Sequence, residues 1–235
     1  MQIINIEEGA IISVDKPYGW TSADVVRKIK FLLQKKTGQK KIKVGHAGTL
    51  DPLATGVLLI CVGKATKLAD SLQAEEKEYI ADIRLGATTP GFDLEKEIDA
   101  TYPFDHITKE AVEQTLQQFI GVQEQIPPIF SAKLIDGKRA YELARAGQEI
   151  AMKPAVITIK ELLLLSCDIP DITIKITCSK GTYIRSLARD IGLSLQSGGH
   201  LTALQRTRSG KHRVEEAFNM ETVENIIKNL DFHRK

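Results

Sequence analysis

The sequence predicts an α+β fold with a mixed, mostly antiparallel central sheet flanked by helices. Three observations carry that expectation. Apolar runs of strand length come in pairs and singly, with helical segments between them, and strict strand–helix–strand alternation is missing. The runs 161–167 and 172–178 are separated only by Asp168-Ile169-Pro170-Asp171, a hairpin signal. A chain of 235 residues, 43% hydrophobic and 26% charged, buries a sizeable core without staples.

Residues 11–14 read as a short strand that ends at Asp15-Lys16-Pro17, with Tyr18-Gly19-Trp20 as a turn. Thr21 or Ser22 caps a helix whose apolar positions, Val25, Val26, Ile29, Leu32 and Leu33, fall at three- and four-residue steps. A basic loop, residues 37–41, follows it. The continuous apolar run 57–62 is a buried strand ended by Gly63, and residues 64–72 form a short helix. Residues 79–85 alternate in part and read as a strand. Thr108 caps a helix that runs to Ile120 and stops at Gly121. Further helices are expected at 141–146, at 182–195 despite Gly192, and at 220–230, with a late strand at 200–207.

Composition excludes several classes. No apolar run approaches the ~20 residues of a membrane helix, and residues 1–8 lack the basic start of a signal peptide. The expected location is therefore the cytoplasm. The three cysteines, Cys61, Cys167 and Cys178, are odd in number and fit no CxxC pair, which argues against a disulfide framework and a zinc site. Net charge is only +2, but it is unevenly spread. Residues 1–71 carry +5, residues 72–120 carry −7 and residues 176–213 carry +6. Two basic segments brought together would suit a polyanion, whereas two solvated helical faces are the plainer reading.

Chemistry concentrates in residues 45–56, Gly-His-Ala-Gly-Thr-Leu-Asp-Pro-Leu-Ala-Thr-Gly. Three glycines leave the backbone free to turn and let a ligand come close. Pro52 pushes Asp51 toward extended geometry. A carboxylate so placed can serve as nucleophile, base, metal ligand or turn cap, and a bare Asp-Pro reads first as a turn cap. The glycines are not a P-loop, since no Gly-Lys-Ser/Thr follows them.

The whole string resembles the signature of the TruB family of tRNA pseudouridine synthases. Other blocks follow in family order: Asp15-Lys16-Pro17 with Gly19-Trp20-Thr21-Ser22, Lys77-Glu78-Tyr79, Pro127 to Lys133, Gly137 to Tyr141, and Cys178 to Ala188. The likeness runs from about residue 11 to about residue 213. It implies a pseudouridine synthase fold and the isomerisation of one T-loop uridine of tRNA, position 55, to pseudouridine. The base leaves its stack, because the glycosidic bond is out of reach inside a folded loop. No cofactor and no metal are implied.

By the same resemblance Asp51 is the nucleophile, attacking either C6 or C1′, and Arg185 is the guanidinium that pairs with it and keeps it ionised. Tyr79 stacks on the base and is a candidate to take the C5 proton, though a free phenol is a poor base at neutral pH. Tyr183 is a second active-site tyrosine, His46 supports the refolded RNA loop, and Leu204 lines the base pocket. Asp93 falls near a family aspartate within a looser motif. Lys64, Lys67, Arg206, Arg208, Lys211 and Arg213 are expected to meet phosphates. Singly, each of these residues reads as core or surface; it is their joint order that gives them roles.

The organisation expected is a catalytic domain over residues 1–213 and a short helical extension over 214–235. The roughly 20 residues after Arg213 are too few for the PUA domain that many family members carry. The partner expected is the T-arm stem-loop of tRNA, met by a monomer with no membrane and no obligate protein partner. Rival readings are a catalytically silent RNA-binding or RNA-folding protein, a hydrolase using Asp51 with His46, and a guide-RNA-dependent enzyme acting on ribosomal RNA.

Overall fold

A computed structural model describes residues 8–131, 133–135, 137–140 and 151–230. It divides into two compact units. The first holds the residues up to Tyr79 and those from Gln205 onward; the second is Ile80–Leu204. The helix expected at 141–146 lies outside the described residues. No helix among them is long and apolar enough to cross a membrane.

The first unit is built on β1 (Ala10–Lys16), β2 (Val44–Ala47) and β3 (Ala54–Val62). β1 pairs antiparallel with one edge of β3, from Ala10↔Val62 to Lys16↔Gly56. β2 takes the outer part of the other edge, from Val44↔Val62 to Ala47↔Leu59. Residues 57–62 are buried on both faces, which is why they read as an unbroken apolar run. On one face Val57, Leu59 and Cys61 join Ala47, Ala65 and Leu72 in a cluster. Burying Val57, Leu59 or Leu72 contributes about 1.5–3 kcal/mol for each side chain removed from water.

Helix α1 (Ser22–Thr37) begins with a capping box. The Thr21 hydroxyl accepts from the Asp24 amide while the Asp24 carboxylate accepts from the Thr21 amide. It ends at Gly38, which is left-handed. Its buried stripe is Val25, Ile29 and Leu33. A 3-10 turn (Gly63–Leu68) and α2 (Ala69–Ala74) follow β3, so the expected single helix is two short ones.

β4 (Lys77–Leu85) begins in the first unit and continues into the second, where β5 (Ala87–Thr88) and β6 (Ala100–Thr101) make a small hairpin. Helix α3 (Lys109–Gln118) is capped by Thr108. β7 (Gly121–Gln125) then pairs antiparallel with β10 (Ala155–Asp168). A two-residue ribbon, β8 (Leu134–Ile135) and β9 (Lys138–Arg139), lies between them in sequence. β10 pairs in turn with β11 (Asp171–Cys178), the expected hairpin, with β10 longer than its apolar run suggested. β7 was not expected as a strand, because Gly121-Val122-Gln123-Glu124-Gln125 lacks an apolar face; the extended β10 beside it supplies the pairing.

Helix α4 (Ile184–Ser194) tolerates Gly192 for a steric reason. A Cβ there would lie 2.4 Å from the Gly199 amide nitrogen, so the glycine lets β12 (Gly199–Ser209) start against the helix. From Gln205 onward β12 belongs to the first unit, followed by β13 (His212–Arg213), a 3-10 turn (Val214–Glu216) and α5 (Met220–Lys228), which Asn219 caps. α5 is tied to α1 by Lys28–Glu224 at 2.8 Å.

β3 approaches β12 closely at Gly56, whose φ is +96°. A Cβ at Gly56 would lie 2.2 Å from the Arg206 carbonyl oxygen and 2.8 Å from its nitrogen. Gly56→Ala is therefore expected to lower the stability of the protein by roughly 1–3 kcal/mol in urea unfolding, since the clash is with backbone and cannot be relieved by a rotamer change.

Candidate active site

Asp51 sits in the loop between β2 and β3, half-buried and so reachable from solvent. Its loop is gripped from several sides of the first unit. The Ser22 hydroxyl accepts from the Leu50 amide at 2.9 Å and donates to the Leu50 carbonyl at 3.1 Å. The Asp51 carbonyl accepts from the Ala54 amide at 3.1 Å. The Pro52 carbonyl accepts from the Gly19 amide at 2.9 Å and from Lys16 Nζ at 3.2 Å. At the far end the Gly56 amide donates to the Asp15 carboxylate at 3.1 Å. The Asp15 to Ser22 block is thus a bracket for the Asp51 loop.

Lys16 is wholly buried and also donates to the carbonyls of Pro17, at 2.9 Å, and Trp20, at 2.5 Å. Burial pulls its pKa down to about 8, while the Asp51 carboxylate partly restores it and the Arg206 cation lowers it further. A second buried lysine, Lys77, donates to the carbonyls of Leu72, Gln73 and Glu75 at the end of α2. It fixes the start of β4, the strand that carries the buried Tyr79. His46 lies in β2, partly exposed and opposite Ile60.

Lys64 and Lys67 are exposed and line a pocket of about 310 Å³ together with Lys41, Lys43, Gln39, Ile42, Gly63 and Thr66. Four lysines meet there, two of them supplied by the basic loop and β2 approach that precede the Asp51 motif. Lys43 was not singled out in the sequence, because an isolated lysine between apolar residues carries no local signal.

Arg206 corrects an expectation. It was read as a phosphate contact, but it is 1% exposed. Its guanidinium donates to the Val57 carbonyl at 2.7 Å, the Gly48 carbonyl at 3.1 Å and the Thr49 carbonyl at 3.4 Å. The strand places position 206 facing inward, beside a half-buried Gln205 and a buried Thr207, an environment that the charged residue type alone does not announce.

In the second unit, Arg185 and Asp93 come together. Arg185 enters on the first turn of α4, 5% exposed, and its Nε lies 3.6 Å from an Asp93 carboxylate oxygen. Its two terminal nitrogens donate to the carbonyls of Gly91, at 3.2 Å, and Phe130, at 3.0 Å. A buried guanidinium requires such partners. The loosely matched loop around Asp93 is in fact tightly built. Thr89 Oγ1 donates to the Asp93 carbonyl at 2.6 Å, and the Asp93 carboxylate accepts from the Glu95 amide at 3.0 Å. Phe92 between them has φ +62°, and the Arg189 guanidinium lies 4.9 Å over its ring. Tyr183 caps α4, with its backbone held on both sides by the Gln125 carboxamide at 2.8 and 3.1 Å. Gln125, 3% exposed, carried no signal in the sequence. Leu204 is half-buried in β12. Among the described residues no set of three or more His, Cys, Asp or Glu is placed to hold a metal ion.

The lowered Lys16 pKa has a definite pH consequence. Between about pH 8 and 10.5 the unfolded chain keeps a proton that the folded one has released, so stability contributed at this site rises as pH rises through that window. The difference in unfolding free energy between wild type and Lys16→Met is expected to grow from pH 7 to pH 10 in denaturant titrations. A difference independent of pH would show an ordinary lysine at this position.

Residues 34–184 match the TruB family pseudouridylate synthase N-terminal domain, and residues 185–233 match the tRNA pseudouridylate synthase B C-terminal domain. The tRNA pseudouridine synthase B of Phocaeicola vulgatus is 59% identical over 219 residues, covering 93% of each chain. That of Clostridium kluyveri is 45% identical over 220 residues, 93% of this chain and 74% of the longer relative. Among solved structures, one described as a Cbf5-Nop10-Gar1 complex contains a chain superposing with a TM-score of 0.71 at 28% identity. The match covers 94% of this chain and 54% of that one. The α+β architecture is thus the pseudouridine synthase fold, and the chain belongs to the TruB family of pseudouridylate synthases.

Proposed function

We propose that this protein is a tRNA pseudouridine synthase that isomerises a T-loop uridine, at position 55, by way of Asp51 and an extruded base. Family membership supports the reaction class. The observation that carries the residue assignment is the setting of Asp51. A half-buried carboxylate in a loop whose backbone is gripped on both sides suits a nucleophile better than a turn cap. A turn cap would need only local bonds, whereas this loop is held from α1, β1 and β12.

The chemistry balances without an added reagent. The carboxylate bonds to the extruded nucleotide at C6 or C1′, the N1–C1′ glycosidic bond breaks, the freed base turns, a C1′–C5 bond forms, and the bond to the carboxylate breaks so that Asp51 is released unchanged. The proton on C5 then leaves and N1 gains one. Arg185 is proposed to hold Asp51 ionised and oriented, with Asp93 buried beside Arg185 to fix the guanidinium in turn. Tyr79 and Tyr183 would face the base, Leu204 would close the apolar side of its pocket, and His46 would support the displaced loop. The four-lysine pocket would take the RNA backbone as point charges. The partner is then the tRNA T-arm alone, in a monomer located in the cytoplasm.

Tritium release from T-arm RNA labelled at C5 tests the reading with the purified protein and no added partner. Wild type should release tritium, and Asp51→Asn should lose about 10³-fold or more of the rate. Full activity in the variant would remove the nucleophile assignment, and none in wild type would leave an RNA-binding protein. Lys64→Ala combined with Lys67→Ala should weaken RNA binding and flatten the dependence of log Kd on log salt by up to about two phosphate contacts. An unchanged slope would count against the pocket as a phosphate site.

A further inference from the structure

The carbonyls of residues 48–52 form an unbroken series of five, each accepting a hydrogen bond. Gly48 and Thr49 accept from Arg206, Leu50 from Ser22, Asp51 from Ala54, and Pro52 from Lys16 and Gly19. Only one of these donors, Ala54, belongs to the loop and the strand that follows it. The others arrive from elements far away in sequence. Arg206 is the most remote, 157 and 158 positions from the carbonyls of Thr49 and Gly48. It also reaches across to the Val57 carbonyl, so one planar fork spans both ends of the Asp51 loop. Gly48 turns with φ +95°, which aims its carbonyl back at that fork.

We propose that Arg206 is a positioning residue for Asp51, a strap that fixes the carboxylate-bearing loop before substrate arrives, and not a contact to RNA. The proposal rests on the reading of Asp51 as the nucleophile. Three features of the geometry support it. The guanidinium is sealed from solvent, so a phosphate does not reach it. Its Nε, Nη1 and Nη2 are each committed to a different carbonyl, a pattern a lysine does not reproduce. Two of those carbonyls stand two and three residues ahead of Asp51, close enough that their release shifts the carboxylate. Ser22 acts in the same way from α1, holding both polar backbone groups of Leu50 with one hydroxyl.

A positioning residue and a phosphate contact differ in what they change. Loss of the first lowers the chemical rate and leaves RNA affinity alone; loss of the second raises Kd and reduces its salt dependence. The experiment measures three quantities for wild type, Arg206→Lys, Ser22→Ala and Asp51→Asn. They are the single-turnover rate of pseudouridine formation at saturating enzyme, the Kd for T-arm RNA at two salt concentrations, and the thermal midpoint. Arg206→Lys should lose about 10- to 100-fold in the single-turnover rate, with Kd within about twofold and its salt slope unchanged. Ser22→Ala should show the same split with a smaller rate loss.

A folded Arg206→Lys that reacts within about threefold of wild type would reduce Arg206 to a structural part and overturn the proposal. A raised Kd with a flatter salt slope would restore the phosphate role. If Arg206→Lys does not fold, Ser22→Ala decides. A rate loss at unchanged Kd supports the strap, and an unchanged rate overturns it. Asp51→Asn separates the two levels of the claim. Full activity there removes the nucleophile and the strap's purpose together, whereas an inactive Asp51→Asn beside a fully active Arg206→Lys removes the strap alone.

Discussion

Backbone carbonyls gripped by buried cations hold the Asp51 loop of the first unit in place. Lys16 and Arg206 are wholly or almost wholly buried, and together they take the carbonyls of Pro17, Trp20, Gly48, Thr49, Pro52 and Val57. A buried cation without hydrogen-bond acceptors is costly, and a loop of free carbonyls inside a protein is costly too. Each solves the other's problem. The result is a loop that does not need helix or strand geometry to be rigid. It can therefore present a carboxylate at a bend that regular secondary structure does not allow.

The same device recurs with different partners. Lys77 closes the end of α2 by donating to three carbonyls, and this fixes where β4 and Tyr79 begin. In the second unit Arg185 donates to two carbonyls and pairs ionically with the Asp93 carboxylate. Here the ionic partner matters, because a guanidinium flanked only by carbonyls can rotate among them, while a carboxylate fixes its orientation. The tight turn that presents Asp93 carries its strain at Phe92, where a non-glycine residue adopts φ +62°. Arg189 over the Phe92 ring helps to hold that conformation.

Much of the fold could be read from pattern. The capping threonines Thr21 and Thr108, the hairpin at Asp168 to Asp171 and the unbroken apolar run of β3 are local signals with local causes, and the structure places elements where they point. β7 escaped because its polar residues pair only when the extended β10 arrives beside them. β2 escaped because Val44-Gly45-His46-Ala47 is too short and too mixed to alternate. The motifs single out Asp51, Arg185 and Asp93 as candidates, and the structure shows that the last two form an ion pair in the second unit. Gln125, Ser22 as a loop holder, and Lys43 beside Lys64 carried no signal that spacing could reveal.

By itself the sequence determined the fold class, the family and the position of the carboxylate in a loop. Those depend on residue order over short stretches: three glycines and a proline around one aspartate, and apolar periodicity on either side. Only the tertiary structure decided what the charges do. Arg206 read as a surface cation meeting phosphate, and folding turned it inward onto carbonyls more than 140 positions away. The physical reason is that a side chain's charge is written in the sequence but its solvation is not. Whether an arginine faces water, RNA or a buried carbonyl is settled by which strand comes to lie beside it, and that pairing is a property of the folded chain.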